Sequence, residues 1–486
     1  MAVNEGSERT ALYVDDAVLS YRELDLRVRS ASSRLQQLSN GPVVGVSTSN
    51  PWLTLLSLHA AARLGLALLP LDLQMPRFQR EALLSQTGCR LVICDEWKAQ
   101  LPRDVKRVRG EELLRLAEGP VKPEHLTAAA AMDPQPIGLI VPTSGSTSDP
   151  KGVMLSAANL AASARQVNRQ LGLNAGDCWL NCLPLSHVAG LSIPYRCSQA
   201  GAAMLLHRGF DAARVWQDLE RYPISHISLV PAMLGRLLDA APGRMAPSSL
   251  RVALVGGGPL DRSLAERAHV AGWPLAVCYG MSETGSMCVL DTTAQAGLNP
   301  GRVGRVMPGF KLVLSEGEQG EIRLAGDAVM VGYANPRLKP GDGLENGWFT
   351  TGDLGFWDDR GQLCLSGRAD ELMNSGGLRL HPREVEQQLE ACPGLHTVAV
   401  GSRPDPLWGD RLVAFYEGPV SEVQLEAWAR AHLPSGLRPR EFRSIDRLPR
   451  NRMGKLDRRA LKRHIQSAPH AMPGVAPWAA SPRDSR

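Results

Sequence analysis

The chain has 486 residues, 54 basic and 49 acidic, for a formal net charge of +5. That length exceeds a single hydrophobic core and predicts two or three domains, while so small a charge excess makes no case for a nucleic-acid partner. No apolar run reaches the length of a membrane span, the first residues lack a secretory signal pattern, and nine cysteines at irregular spacings form no zinc-like pair of pairs, so the expectation is a cytoplasmic enzyme with reduced thiols.

Taken in chain order, the elements alternate. Ser20-Tyr-Arg-Glu23 is a capping-box signal ahead of a helix reaching about Leu38, followed by a short apolar strand from Val43 to Ser47. A helix from Pro51 to Gly65 and a strand from Leu66 to Leu69 come next. Farther on, strand His226 to Pro231, helix Ala232 to Ala241, strand Leu250 to Val255, helix Leu260 to Ala271 and strand Pro274 to Cys278 repeat the pattern. Such alternation predicts an α/β fold of mainly parallel sheets covered by helices, with ligands beyond the carboxyl ends of the strands. Between Gly301 and Arg368 the pattern changes to short strands with Gly and Asp turns, predicting a β-rich subdomain (301–368). A helix from Pro382 and a strand from Val398 to Gly401 belong to a final α+β segment, and the aperiodic tail, residues 466–486, is expected to be disordered.

Chemistry is concentrated in a few loops. Val141-Pro-Thr-Ser-Gly-Ser-Thr-Ser-Asp-Pro-Lys-Gly-Val-Met154 follows an apolar strand, Ile137 to Val141, and precedes a helical pattern at Ser156, so the loop is expected at a strand-to-helix turn. Backbone amides, including that of Gly145, the hydroxyls of Thr143, Ser144, Ser146 and Thr147, and the ammonium of Lys151 suit a polyphosphate. Lys151 is followed by Gly152, not by the Ser or Thr of a Walker A loop, which disfavours an ordinary P-loop NTPase. In isolation such a segment also reads as a polar connection.

Four more segments follow in order: Cys278-Tyr-Gly-Met-Ser-Glu-Thr-Gly285, Thr350-Thr-Gly-Asp-Leu354, Gly367-Arg-Ala-Asp-Glu-Leu-Met-Asn-Ser-Gly-Gly-Leu-Arg379 and Leu448-Pro-Arg-Asn-Arg-Met-Gly-Lys-Leu-Asp457. With the first loop they resemble the adenylate-forming superfamily of acyl-CoA and aryl-CoA synthetases, peptide-synthetase adenylation domains and firefly luciferase, over roughly residues 10 to 463. The segments Asn181 to Arg196, Val230 to Leu238 and Gly256 to Pro259 are most similar to the o-succinylbenzoate-CoA ligases within it.

The resemblance implies a large N-terminal adenylation domain, residues 1–369, and a small mobile C-terminal domain, residues 370–465, joined at a hinge, Asp370. It implies ATP, Mg²⁺ and CoA as cofactors and a carboxylic acid as substrate. The loop from Thr143 to Lys151 would grip the β- and γ-phosphates, Glu283 would hold Mg²⁺, Ser282 would touch the α-phosphate, and Tyr279 would stack on adenine. Asp353 and Arg368 would hold the ribose hydroxyls, while Gly257 and Gly258 would line the nucleotide and acid pocket with His187 at its mouth. Lys455 would bridge the attacking carboxylate and the α-phosphate. Gly377 would flank the pantetheine arm with Arg379 beside it, and Arg458 and Arg459 are candidates for the CoA phosphates. Arg196 is read either as the partner of a second carboxylate on the acid or as a structural arginine. The phosphate loop departs from the family pattern at Ser148-Asp149, Ser282 stands for the usual threonine, and Asn374 with Leu378-Arg-Leu-His381 departs from the usual succinylbenzoate-ligase sequence.

The leading expectation is therefore an ATP-dependent acid-CoA ligase for an aryl or medium-sized acid. A freestanding adenylation enzyme that loads an acyl carrier protein is the alternative, and a non-catalytic nucleotide-binding protein is the third reading.

Overall fold

The computed structural model describes residues 7–95, 101–118, 136–143, 150–299, 301–317, 319–334, 338–450 and 456–467. These fall into two compact units, one ending at Asp370 and the other beginning at Glu371. The larger holds a thirteen-stranded and a seven-stranded sheet, and the smaller holds a five-stranded sheet. The expected α/β architecture, with a large sheet-based N-terminal part and a smaller C-terminal one, is what the chain adopts.

In the thirteen-stranded sheet the parallel core runs through Thr10–Val14, Ala203–Leu206, Cys178–Asn181, His226–Leu229, Val252–Val255 and Leu275–Met281. These short apolar runs are buried almost throughout, as strands covered on both faces require. Pairing then turns antiparallel through Ser286–Asp291 and Arg302–Val306. The strands Leu363–Arg368, Phe349–Trp357, Gln319–Gly326 and Phe310–Leu314 continue that sheet, so the Gly- and Asp-punctuated stretch extends the thirteen-stranded path. In the seven-stranded sheet, Val43–Ser47 lies between Ala67–Pro70 and Leu91–Cys94, all parallel.

Local sequence explains the helix starts. Ser20 and Glu23 form the expected capping box, with Glu23 N–H donating to Ser20 Oγ at 3.2 Å and Ser20 N–H to Glu23 Oε2 at 2.8 Å. Pro231 occupies the first turn of its helix, which runs Pro231–Ala240, because its missing N–H costs nothing there. Asp261 caps the helix Arg262–Val270 by accepting from Leu264 N–H at 2.8 Å, which moves that start two residues later than the apolar pattern predicts.

In the smaller unit, Thr397–Asp405 and Gly409–Glu417 form a long antiparallel hairpin, with Glu441–Ser444 parallel to its second strand and Met373–Ser375 antiparallel to it. The helices Pro382–Glu390 and Glu422–His432 supply Val385, Leu389, Leu425 and Ala429 to its core.

Candidate nucleotide and acid site

The phosphate-loop flanks are set differently from the sequence expectation. Ile137–Thr143 pairs antiparallel with Lys151–Ser156, and the helix starts only at Ala157, after Ser156 caps it with Asn159. The loop thus joins two strands of a hairpin, not a strand and a helix. The reason is the buried run Val153-Met-Leu155, which completes the sheet before the capping box can act. Thr143 and Lys151 face each other across the hairpin, the Thr143 hydroxyl 3.4 Å from the Lys151 carbonyl oxygen. Ser144, Gly145, Ser146, Thr147, Ser148 and Asp149 lie outside the described residues.

From this hairpin the Lys151 ammonium reaches over the ring of Tyr333, 4.8 Å from its centroid. The Tyr333 hydroxyl in turn donates to Glu283 Oε1 at 2.9 Å. Glu283 sits in the short 3₁₀ turn Ser282–Thr284, which directly follows the strand Leu275–Met281 and ends at Gly285 in the left-handed region. The Gly285 N–H donates to the Ser282 carbonyl at 3.0 Å, closing the turn so that Ser282 and Glu283 leave it side by side. Burial pushes the Glu283 carboxyl upward; the Tyr333 hydrogen bond and the Lys151 charge oppose this, and Asp353 adds to it.

Tyr279, only 8% exposed, donates its hydroxyl to Asp353 Oδ2 at 2.6 Å. Asp353 Oδ1 accepts from Arg368 Nη1 at 3.1 Å, and Arg368 Nε donates to Asp370 Oδ1 at 2.9 Å. The antiparallel register places Asp353 opposite Arg368, and the Asp353 N–H is tied to Thr351 Oγ1 at 2.9 Å. Gly352 has φ +74°, a conformation that L side chains rarely adopt, and a Cβ there would crowd the Arg368 guanidinium at 3.0 Å. Burial raises the Asp353 carboxyl, with Tyr279 and Arg368 opposing it, and burial holds the Tyr279 phenol well above its usual range. The ring that the resemblance assigns to adenine stacking is thus also a donor to the carboxylate assigned to ribose.

On the acid side, Gly256 follows the strand Val252–Val255, where an added Cβ would meet Cys278 Sγ at 2.5 Å and the Cys278 carbonyl oxygen at 3.2 Å. Gly257 is left-handed at φ +79°, and Gly258 continues the turn. His187 is the N-cap residue of the helix Val188–Ala200 and is half-buried, beside Ser186, whose hydroxyl donates to Asp72 Oδ2 at 3.2 Å. Arg196 on that helix is 1% exposed, 5.1 Å over the Trp179 ring, and donates to Ser286 Oγ at 2.6 Å. Its Nε has no hydrogen-bond partner, no carboxylate pairs with it among the described residues, and burial pulls its pKa down to about 10.

In the smaller unit Gly376 and Gly377 are both left-handed, at φ +59° and +80°. A Cβ on Gly376 would press on the Trp408 ring at 3.0 Å, whereas one on Gly377 would meet nothing within 4 Å. Arg379 pairs by its backbone with Asn374; its side chain, that of Arg459, residues 468–486 and Lys455 are outside the described residues. Arg458 departs from its expected place at a phosphate. Its guanidinium donates to Glu386 Oε1 at 2.8 Å and Oε2 at 3.2 Å and to the Val400 carbonyl at 2.8 Å, with Nε 3.4 Å from Glu371. Buried acceptors within its own unit take up those donors.

The sequence profile of the AMP-binding enzyme family matches residues 1–334, and that of the AMP-binding enzyme C-terminal domain matches residues 384–455. The chain belongs to the AMP-binding enzyme family. Among curated relatives of this AMP-binding enzyme, the 2-succinylbenzoate–CoA ligase of Bacillus licheniformis is 30% identical over 465 residues, covering 93% of this chain and 96% of that one. The o-succinylbenzoate CoA synthetase of Bacillus subtilis, solved with its acyl-adenylate intermediate, superposes with a TM-score of 0.83 at 29% identity, covering 94% and 95% of the two chains. The same synthetase in complex with ATP and magnesium ion gives 0.82 at 28% identity, covering 94% and 97%. Among the described residues, no helix is long and apolar enough to cross a membrane.

Tyr333 escaped the sequence reading. Its only signal is the dipeptide Gly332-Tyr333 in a region read for turns, and its role emerges from a two-residue strand set against Met154 and Val153.

Proposed function

We propose that this AMP-binding enzyme is an ATP-dependent carboxylic acid–CoA ligase whose acid is o-succinylbenzoate or a close aryl dicarboxylate. The observation that carries the reading is the pair of contact chains in one unit, Lys151 and Glu283 joined through Tyr333 and Tyr279 joined to Asp353 and Arg368, together with a buried arginine that lacks a carboxylate among the described residues. In the first half-reaction a carboxylate oxygen of the acid attacks the α-phosphorus of ATP, the bond to the bridging oxygen breaks, and pyrophosphate leaves. Both reactants are anions, so the protein's task is to neutralise and align them.

Lys151 supplies charge toward the outer phosphates, with the Thr143 to Thr147 loop closing over them. The Ser282 hydroxyl addresses the α-phosphate. Asp353 accepts from the ribose hydroxyls, and Arg368 and Tyr279 hold that carboxylate in place. Glu283 is suited to Mg²⁺ bound by one carboxylate together with substrate phosphates, a hard oxygen donor near the ammonium of Lys151. The bound ion would screen phosphate charge. Lys455 provides the ammonium that bridges the attacking oxygen and the α-phosphate. His187 and the Gly256 to Gly258 turn border the acid, and Arg196 meets its second carboxylate.

In the second half-reaction the CoA sulfur attacks the acyl carbon and AMP leaves. Gly377 offers the side-chain-free passage for pantetheine, flanked by Arg379, and Asp370 is the hinge about which the C-terminal part alternates. Contact of Arg368 with Asp370 supports a link between ribose binding and that hinge.

The test is pyrophosphate release with o-succinylbenzoate, benzoates and C4 to C12 fatty acids, each with and without CoA. Turnover that requires o-succinylbenzoate and CoA, and falls about 10²- to 10³-fold in Lys455→Ala, is the expected result. Acid-dependent ATP–pyrophosphate exchange with no acyl-CoA formed replaces the ligase with an enzyme that loads a carrier thiol. Asp370→Pro is expected to lower thioester formation from preformed adenylate more than adenylation, and equal losses in both count against domain alternation.

A further inference from the structure

Between the basic and the acidic member of the nucleotide site stands a residue that touches both. Tyr333 lies in the two-residue strand Gly332–Tyr333, paired antiparallel with Met154 and Val153 of the hairpin strand that begins at Lys151. Its backbone is fixed on both sides: Tyr333 N–H donates to the Asp342 carbonyl at 2.9 Å, and Ala334 N–H to the Gly152 carbonyl at 2.7 Å. Its ring packs against Gly343, where a Cβ would come within 2.4 Å of two ring carbons; Gly343 sits at φ +80°, a conformation that favours glycine as well. So held, the ring turns its hydroxyl toward Glu283 and a face toward Lys151. A second tie joins the two segments, since the Glu283 carbonyl accepts from Met330 N–H at 2.8 Å.

We propose that Tyr333 is a positioning residue for the nucleotide, aiming the Glu283 carboxylate through its hydroxyl and holding the Lys151 ammonium over its ring so that one clamped side chain sets both groups before substrate arrives. The inference rests on the reading that Glu283 serves Mg²⁺ and Lys151 serves phosphate. Tyr333 itself touches neither the reacting carboxylate nor the α-phosphorus in this account. Other charged groups facing Glu283 are Lys151 from the hairpin and Asp353 from the strand Phe349–Trp357, neither of which hydrogen-bonds it among the described residues, so the carboxylate's donors are the Tyr333 phenol and its own backbone N–H. Without the phenol, a half-buried carboxylate keeps only its own backbone N–H as a donor until the metal binds. Without the ring, a long ammonium stem samples many rotamers before it meets a phosphate.

The two halves separate experimentally in equilibrium binding of ATP to the full chain, measured by calorimetry with and without Mg²⁺. In wild type, Mg²⁺ is expected to strengthen ATP binding. Tyr333→Phe keeps the ring and should leave Mg²⁺-free affinity unchanged while cutting the Mg²⁺-dependent gain about tenfold, the scale of a hydrogen bond to a charged group. Tyr333→Leu should also weaken Mg²⁺-free binding, by about threefold, the scale of an exposed cation–π contact. A general folding defect would lower both affinities together in Tyr333→Phe, and that result, or no change in either, overturns the inference. Glu283→Gln supplies the separate check on the underlying reading: if the Mg²⁺-dependent gain survives in that variant, the metal assignment fails. If the gain is lost in Glu283→Gln yet intact in Tyr333→Phe, the positioning role alone fails.

Discussion

The site carboxylates of the larger unit and the structural carboxylates of the smaller one are partnered in opposite ways. In the larger unit Glu283 and Asp353 are half-buried with few compensating donors, a phenol and its own backbone N–H for one and a phenol plus one guanidinium for the other, and burial raises both. In the smaller unit Glu386, 3% exposed, accepts twice from Arg458, once from Val400 N–H at 2.8 Å, and has Arg383 3.7 Å away. Burial works against the Arg458 charge, but Glu386 and Glu371 outweigh it and raise its pKa. Glu441 is likewise ringed by Arg403, Arg411 and Arg443. A saturated cluster has no capacity left for a ligand and serves to hold backbone; a short-handed one costs stability and is ready for charges that a substrate brings.

That contrast predicts where a single deletion hurts. Glu386→Ala should be the most damaging to stability, because it strips a part-buried guanidinium of its main carboxylate partner, leaving it the Val400 carbonyl and Glu371, and leaves the Val400 N–H without an acceptor, at a cost of about 3 kcal/mol. Chemical unfolding should show the loss while ATP binding to the folded fraction stays near wild type. An unchanged unfolding midpoint would break the distinction between the units.

Asp353→Ala should do the reverse. Arg368 keeps Asp370 as a partner and burial already disfavours the carboxylate, so the stability cost should be confined to the Tyr279 hydroxyl that loses its acceptor, about 1 to 2 kcal/mol. ATP affinity should fall about 30-fold or more for the loss of two charge-assisted ribose hydrogen bonds. Nucleotide titration and a thermal melt on the same sample decide it, and a large melt shift with intact binding would place Asp353 among the structural groups.

Much of this was legible in the chain because local chemistry fixed it. Ser20 and Glu23 announce a helix and the apolar runs around Ile227 and Leu254 announce buried strands, while Asp353 and Arg368 are paired by the family resemblance alone and lie opposite each other in the register. What remained hidden depends on long-range pairing. Val153-Met-Leu155 looks like loop trailing into helix until the strand Ile137–Thr143 lies beside it, and Arg458 looks like one cation in a basic run until Glu386 and Glu371, from about 70 to 90 positions earlier, close on it. Tyr333 is the same case, a residue given meaning by Gly343 and Glu283.

Arg196 is the residue on which the comparison is sharpest, for it is a charge in the larger unit with neither a full set of partners nor a carboxylate. If it waits for the second carboxylate of the acid, Arg196→Met should leave stability unchanged or slightly higher, since a buried cation without a counter-ion is replaced by an apolar side chain of similar length. The Ser286 hydroxyl loses one donor, which limits the gain. The same variant should raise the KM for o-succinylbenzoate about tenfold or more while leaving a monocarboxylic benzoate within about twofold, because only the first acid needs the charge. Equal effects on both acids, together with a fall in the unfolding midpoint, would instead mean that the stack on Trp179 and the bond to Ser286 are its purpose. Arg196 would then belong with Arg458 among the cations that hold the fold, and the acid's second carboxylate would require a different partner.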